Sequence, residues 1–152
     1  MKHFFLILLL ASLAAGSARA QRSGTGLGVI TGEPTGVSVK HWLDDRAAID
    51  AAVGWSFEGR DSLHLHADWL WHDFAIFPVE RGLLPLYYGV GARFKSNSGS
   101  RDRFGVRVPV GVAYHFDNIP LELFGEIVPI LDVVPSTRLS LNAAVGARWY
   151  FH

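Results

Sequence analysis

The chain of 152 residues has no cysteine, which removes disulfides, thiol nucleophiles and cysteine-ligated metals from consideration together. It also lacks an apolar run long enough for a membrane-spanning helix: about 20 residues are needed, and the longest run, Phe4 to Ala15, falls short. Helical spans are therefore excluded. Nor is one sign of charge in excess, with 14 Lys and Arg against 14 Asp and Glu. Without a concentrated basic face there is no case for a nucleic-acid partner. No linker or low-complexity tract divides the chain, so its length is that of one domain.

The early apolar run has a different meaning. Lys2 and His3 precede it, and Ala18, Arg19 and Ala20 follow as a small-x-small site, the order expected of a secretory signal peptide. Residues 1–20 are read as that peptide, cleaved after Ala20, and residues 21–152 as the exported domain. With Lys2 and Arg19 gone, acidic residues outnumber basic ones by two. A chain exported without disulfides must be held by its own packing and hydrogen bonds.

What the chain does have is alternation. Phe104, Val106, Val108, Val110, Val112, Tyr114 and Phe116 occupy every second position of one run, with Gly105, Arg107, Pro109, Gly111, Ala113 and His115 between them. Successive side chains of a strand point to opposite faces, so this is a strand with one greasy face and one small, polar face. The pattern recurs. Turn signals separate segments at about 25–32, 35–43, 47–57, 62–72, 86–94, 104–116, 121–131 and 139–151, which predicts eight strands. The longer connection is 73–84, and Lys95 to Asp102 reads as a flexible tip. β-Branched and aromatic residues at period two, punctuated by Gly and Pro, exclude a helical reading.

Two β architectures compete for such a pattern: a soluble barrel with its apolar face inward, and a membrane barrel with that face outward. The polar face favours the second. It carries Gly54, Gly89, Gly91, Gly105, Gly111, Ala113, Ala144 and Gly146 between isolated charges, where a solvated face would be dense in Lys, Glu, Ser and Thr. Those charges are Lys40, Arg93, Arg107 and Arg148 against Asp50, Asp68, Glu122 and Glu126. A buried charge is costly unless paired, so four cations facing four acids suit a closed, plugged lumen. With a periplasmic amino terminus, Trp71, Tyr88, Tyr114, Phe116, Trp149 and Phe151 fall near one rim, and Trp55, Phe57, Phe94 and Phe104 near the other. Two aromatic girdles at membrane interfaces follow.

An exported chain of eight alternating strands with aromatic girdles, ending in Trp149, Tyr150 and Phe151, resembles the small eight-stranded bacterial outer-membrane β-barrels. The resemblance covers residues 21–152 and is one of pattern. It implies an antiparallel up-and-down transmembrane barrel in the outer membrane of a Gram-negative cell, in contact with outer-membrane lipid. It also implies insertion by the barrel-assembly machinery, which reads a terminal aromatic residue; Phe151 matches in type, and His152 follows it.

Three kinds of chemistry compete with a structural role. His64, His66 and Asp68 project from one strand into one space, and two histidines at i and i+2 bind a metal if Glu122 or Asp50 supplies a third ligand. More often such residues simply join a lumen hydrogen-bond network, so neither a metal nor another cofactor is expected. A lipid hydrolase needs a serine within reach of a histidine at the lipid-exposed rim, whereas Ser56 and Ser62 lie far from His72. A pore is disfavoured because an eight-stranded barrel is filled by its own side chains. Outward loops are short, leaving Lys95 to Asp102 as the one candidate contact site. The sequence therefore reads as a non-enzymatic barrel of structural or envelope-maintenance type, with a soluble periplasmic barrel for an apolar ligand as the alternative; the oligomeric state is not legible.

Overall fold

A computed structural model describes residues 22–56, 62–97, 99 and 101–152. The signal-peptide reading, Phe57 and the turn at 58–61 lie outside the described residues, as do residues 98 and 100 of the tip.

Among the described residues the chain is all-β. Its nine strands are β1 (Thr25–Gly32), β2 (Thr35–Trp42), β3 (Ala47–Ser56), β4 (Ser62–Asp73), β5 (Leu86–Asn97), β6 (Arg103–Arg107), β7 (Val110–His115), β8 (Leu121–Val134) and β9 (Arg138–Phe151). Every pairing is antiparallel, each strand through β5 pairs with the next, and β1 also pairs with β9 along its whole length, from Thr25 opposite Phe151 to Gly32 opposite Ala144. The sheet closes on itself. Strands β6 and β7 both lie between β5 and β8, so nine strands fill eight places in the ring.

The break between β6 and β7 corrects the expectation of one continuous strand from Phe104 to Phe116. Proline has no N–H to donate, so the ladder is interrupted at Pro109. Its register is not. Arg107 faces Gly91 and Val110 faces Tyr88 on one side, while the same two residues face Ile130 and Ile127 on the other, with no slip between. Val108 N donates to Pro129 O at 3.0 Å and Pro109 O accepts from Gly89 N at 3.0 Å, so the flanking backbone groups stay engaged.

Two more boundaries move. The strand expected to end at Phe94 continues to Asn97, taking Lys95 out of the tip, and the strand expected to end at Leu131 continues to Val134. A bulge lies at Val133, since Phe104 faces Val134 while Gly105 faces Asp132. The bulge bends the strand near the rim.

The two faces divide as the alternation dictates. Leu65, Trp69, Val90, Val106, Val110, Val112, Leu123, Ile127 and Val145 are exposed on the outside, whereas the polar positions between them are buried inside. Trp69, Trp71 and Tyr88 form an aromatic shelf on the outer surface, with centroids 6.2 and 6.3 Å apart in succession. For convenience, the end of the barrel carrying Thr25 and Phe151 is called the terminal end, and the end carrying the β1–β2 and β8–β9 turns the distal end.

Candidate functional site: the charged lumen

The site is the interior of the ring. Each strand contributes alternate residues to it, and the closed sheet puts charges far apart in sequence within bonding distance of one another.

At the terminal end the centre is Glu122 on β8. Register sets Arg148 of β9 directly opposite it, and Arg148 Nη1 donates to Glu122 Oε1 at 2.6 Å. Lys40 Nζ donates to Glu122 Oε2 at 2.9 Å, Tyr150 Oη donates to the same oxygen at 3.0 Å, and His115 Nε2 lies 3.0 Å from it. Arg148 also donates from Nη2 to Asp50 Oδ2 at 3.0 Å and from Nε to Ser38 Oγ at 2.9 Å. Glu122 is fully enclosed, so its charge is sustained by these neighbours rather than by water. Below this cluster Trp42, Ala48 and Tyr150 pack together with Phe74 against them, and the His72 and His115 rings lie against Trp42 with centroids 4.4 and 5.9 Å away. This is an aromatic stopper.

The middle of the lumen is mixed. Arg107 Nη2 donates to Glu126 Oε1 at 3.2 Å, and Tyr87 Oη donates to Glu126 Oε2 at 2.8 Å. Arg107 Nε stands 2.9 Å from Asp68 Oδ1, close enough for an ion pair though not aligned as a hydrogen bond. Ile30, Ala52, Leu70, Tyr87, Ala113, Phe124 and Ala144 form an apolar belt here, and Arg148 lies over the Phe124 ring at 3.9 Å. Leu70, which interrupts the polar alternation of β4, belongs to that belt.

Toward the distal end, Arg93 Nη2 donates to both carboxylate oxygens of Asp132 at 2.7 Å. His64 Nε2 lies 3.1 Å from His66 Nδ1.

All eight charges singled out in the sequence, Lys40, Asp50, Asp68, Arg93, Arg107, Glu122, Glu126 and Arg148, are buried here. Two more were missed: Lys95, assigned to a loop, and Asp132, placed beyond the last strand residue. Both are 1% exposed. Their positions carried the signal, because Lys95 keeps the parity of Arg93, and Asp132 that of Glu122 and Glu126. Among the described residues the lumen thus holds Lys40, Arg93, Lys95, Arg107 and Arg148 against Asp50, Asp68, Glu122, Glu126 and Asp132, five of each sign.

The metal candidates fall differently from the expected grouping. Ligand atoms of Asp50, His66 and Asp68 lie within 4.8 Å of one another, while His64 is turned to His66 and Glu122 is held in the terminal cluster. Arg148 already pairs with Asp50 and Arg107 with Asp68. The trio is part of the ion network. As for hydrolysis, Thr25 Oγ1 is 2.8 Å from His41 Nδ1 on the exposed side, a cross-strand pair, and among the described residues no acid hydrogen-bonds the imidazole.

No protein-family model matches the chain, and no curated protein matches it. Among solved structures it is similar to the N-terminal β-barrel domain of Pseudomonas aeruginosa OprF, with a TM-score of 0.61 and 15% identity over 84% of this chain and 94% of that one. The likeness is one of fold. That domain and this chain share a β-barrel fold, and at 15% identity the likeness extends to nothing about the residues inside.

Proposed function

We propose that the chain is a non-enzymatic outer-membrane β-barrel with a structural role in the cell envelope, its lumen plugged by the charged network. The observation that carries this reading is the inversion of the faces. A belt of Val, Leu, Ile and aromatic side chains faces outward, and ten charged residues are enclosed. In water such an outer surface is an aggregation liability, whereas in a bilayer it is the favourable surface. Closure supports the reading as well, since a sheet in hydrocarbon must leave no edge unpaired. A soluble barrel for an apolar ligand needs the apolar face inward, and here it faces outward.

Fractionation tests the proposal. The full chain expressed in a Gram-negative host is expected in the outer-membrane fraction, with a band that shifts on heating in detergent gels. Release with the periplasmic contents in the absence of detergent overturns it.

A further inference from the structure

The β2–β3 turn and the outer aromatic shelf enclose one space at the terminal end. Asp44, Asp45, Arg46 and Ala47 line an open cleft of about 590 Å³ together with Trp69, Trp71 and Tyr88. Register builds it, since Ala47 stands opposite Trp71 and Trp71 opposite Tyr88, so the turn enters β3 beside the shelf. Ala47 is small and buried, and the three aromatic side chains around it are between 40% and 44% exposed. The apolar surface continues from there. On the distal side of Trp69 the next outward row is Ala51, Ala67 and Ala92, aligned across β3, β4 and β5. This is a shallow furrow, bounded by Ile49, Trp69 and Val90 on one side and by Val53, Leu65 and Phe94 on the other, all exposed. Trp69 borders both cleft and furrow.

The polar lip of the cleft is fixed in place, and its charged groups have bonding capacity to spare. Arg46 is clamped to His72: Arg46 O accepts from His72 N at 2.8 Å and from His72 Nδ1 at 2.9 Å, and Arg46 Nε donates to His72 O at 3.2 Å. The guanidinium is thereby anchored through one nitrogen, with Nη1 and Nη2 left for other partners. Asp44 uses Oδ1 on the Arg46 and Ala47 N–H groups of the turn, and Arg46 lies near enough to act on its charge. Asp45 is exposed, and its carboxylate is engaged by no group among the described residues. One cation and two acids thus share the lip.

We propose that the cleft is a headgroup site for a zwitterionic phospholipid bearing a phosphodiester and a primary ammonium, with Arg46 on the phosphate, Asp44 and Asp45 facing the ammonium, and an acyl chain in the alanine furrow. Guanidinium binds phosphate through charge-assisted hydrogen bonds, and aromatic rings sit at the level of headgroups in a membrane interface. The opposite charges of the lip match the opposite charges of such a headgroup. A purely anionic headgroup meets two carboxylates there and is repelled by them. The furrow favours a lipid over a free headgroup, which has no chain to lay in it. The inference rests on the reading that the outer face meets lipid, and goes beyond it in naming which lipid and where.

Native mass spectrometry of the refolded full chain in detergent, titrated with phosphatidylethanolamine, tests it. One lipid is expected to be retained per chain, about fivefold more tightly than phosphatidylglycerol, which has the phosphate without the ammonium. Arg46→Gln and Asp45→Asn are each expected to weaken that retention about threefold or more, and Asp45→Asn to narrow the gap between the two lipids. Arg138→Gln, on an exposed residue of β9, is the control and retains the lipid as wild type. Glycerophosphoethanolamine, the same headgroup without chains, is expected not to displace the lipid at equal concentration. Equal retention of the two lipids overturns the proposal, as does wild-type retention in Arg46→Gln or Asp45→Asn, or displacement by the chainless headgroup. If Arg46→Gln does not fold, Asp45→Asn decides alone. Equal retention of the two lipids by a chain that fractionates with the outer membrane overturns this site and leaves the membrane reading standing, whereas release with the periplasmic contents overturns that reading whatever the titration shows.

Discussion

Glu122 and Arg148 face each other on adjacent strands with Oε1 and Nη1 2.6 Å apart, and Lys40 reaches the other carboxylate oxygen from β2. One carboxylate therefore ties β8 to its neighbour β9 and to β2, which is distant in sequence. Truncating one partner of a buried ion cluster leaves the others uncompensated, so Glu122→Gln is expected to destabilise the barrel by about 3–5 kcal/mol. Removing Lys40 as well, in Lys40→Met/Glu122→Gln, should recover part of that loss. Urea unfolding in lipid vesicles measures both, and strictly additive effects would show the two residues to be uncoupled.

Val110 lies on the outer face, 44% exposed, on the strand that follows the proline break. On a lipid-facing surface Val110→Arg should cost about 2–4 kcal/mol at mid-membrane and reduce insertion. Wild-type stability and insertion of that variant in vesicles would argue that this face does not contact hydrocarbon.

Glycines inside and outside the wall should respond in opposite ways. At Gly28 on β1 an added Cβ would collide with the Ala147 carbonyl of β9 and come within 2.7 Å of Arg148 Cα, backbone that has no room to move in a closed ring. At Gly125 on the outer face an added Cβ meets Val145 Cγ1 at an ordinary 3.5 Å. Gly28→Ala is expected to lose about 1–3 kcal/mol through overpacking, and Gly125→Ala to remain within about 0.5 kcal/mol of wild type. Equal refolding midpoints for the two would contradict the close approach of β1 and β9.

Asp44, in the β2–β3 turn, accepts hydrogen bonds at Oδ1 from Arg46 N at 2.7 Å and Ala47 N at 2.6 Å. Those two N–H groups, Ala47 foremost, hold its carboxyl below the ordinary value. A depressed value in the folded state stabilises the fold above the unfolded value of about 3.9, and the contribution is lost as pH falls through the folded one. The gap in denaturant midpoint between wild type and Asp44→Ala should be present at neutral pH and shrink below about pH 4. A gap that persists undiminished in acid would exclude the ionised carboxylate as its source.

Much of this architecture is legible residue by residue, because alternation assigns a face without knowledge of any neighbour. Val106 and Arg107 are separated to opposite sides by that rule alone. Partnership is another matter. Which lumen charges meet depends on the stagger accumulated around the whole ring, so nothing local to Lys40 announces Glu122, and nothing local to Arg93 announces Asp132. Strand ends are poorly marked for a related reason: Lys95 and Asp132 are charged residues next to turns, and their burial becomes evident only once the opposite wall is in place. Pro109 misled in the other direction, since alternation passes through it although its hydrogen bond does not.

The seam between β1 and β9 governs how the chain must reach this state. Thr25 pairs with Phe151, so the first strand finds its second partner only when the last has been made. Until then both edges expose unsatisfied amides, the kind of template that recruits other chains. The loop that must close spans nearly the whole domain, a topology of high contact order and slow, concerted folding. Premature termination anywhere before residue 138 would therefore yield an open, adhesive sheet instead of a smaller barrel.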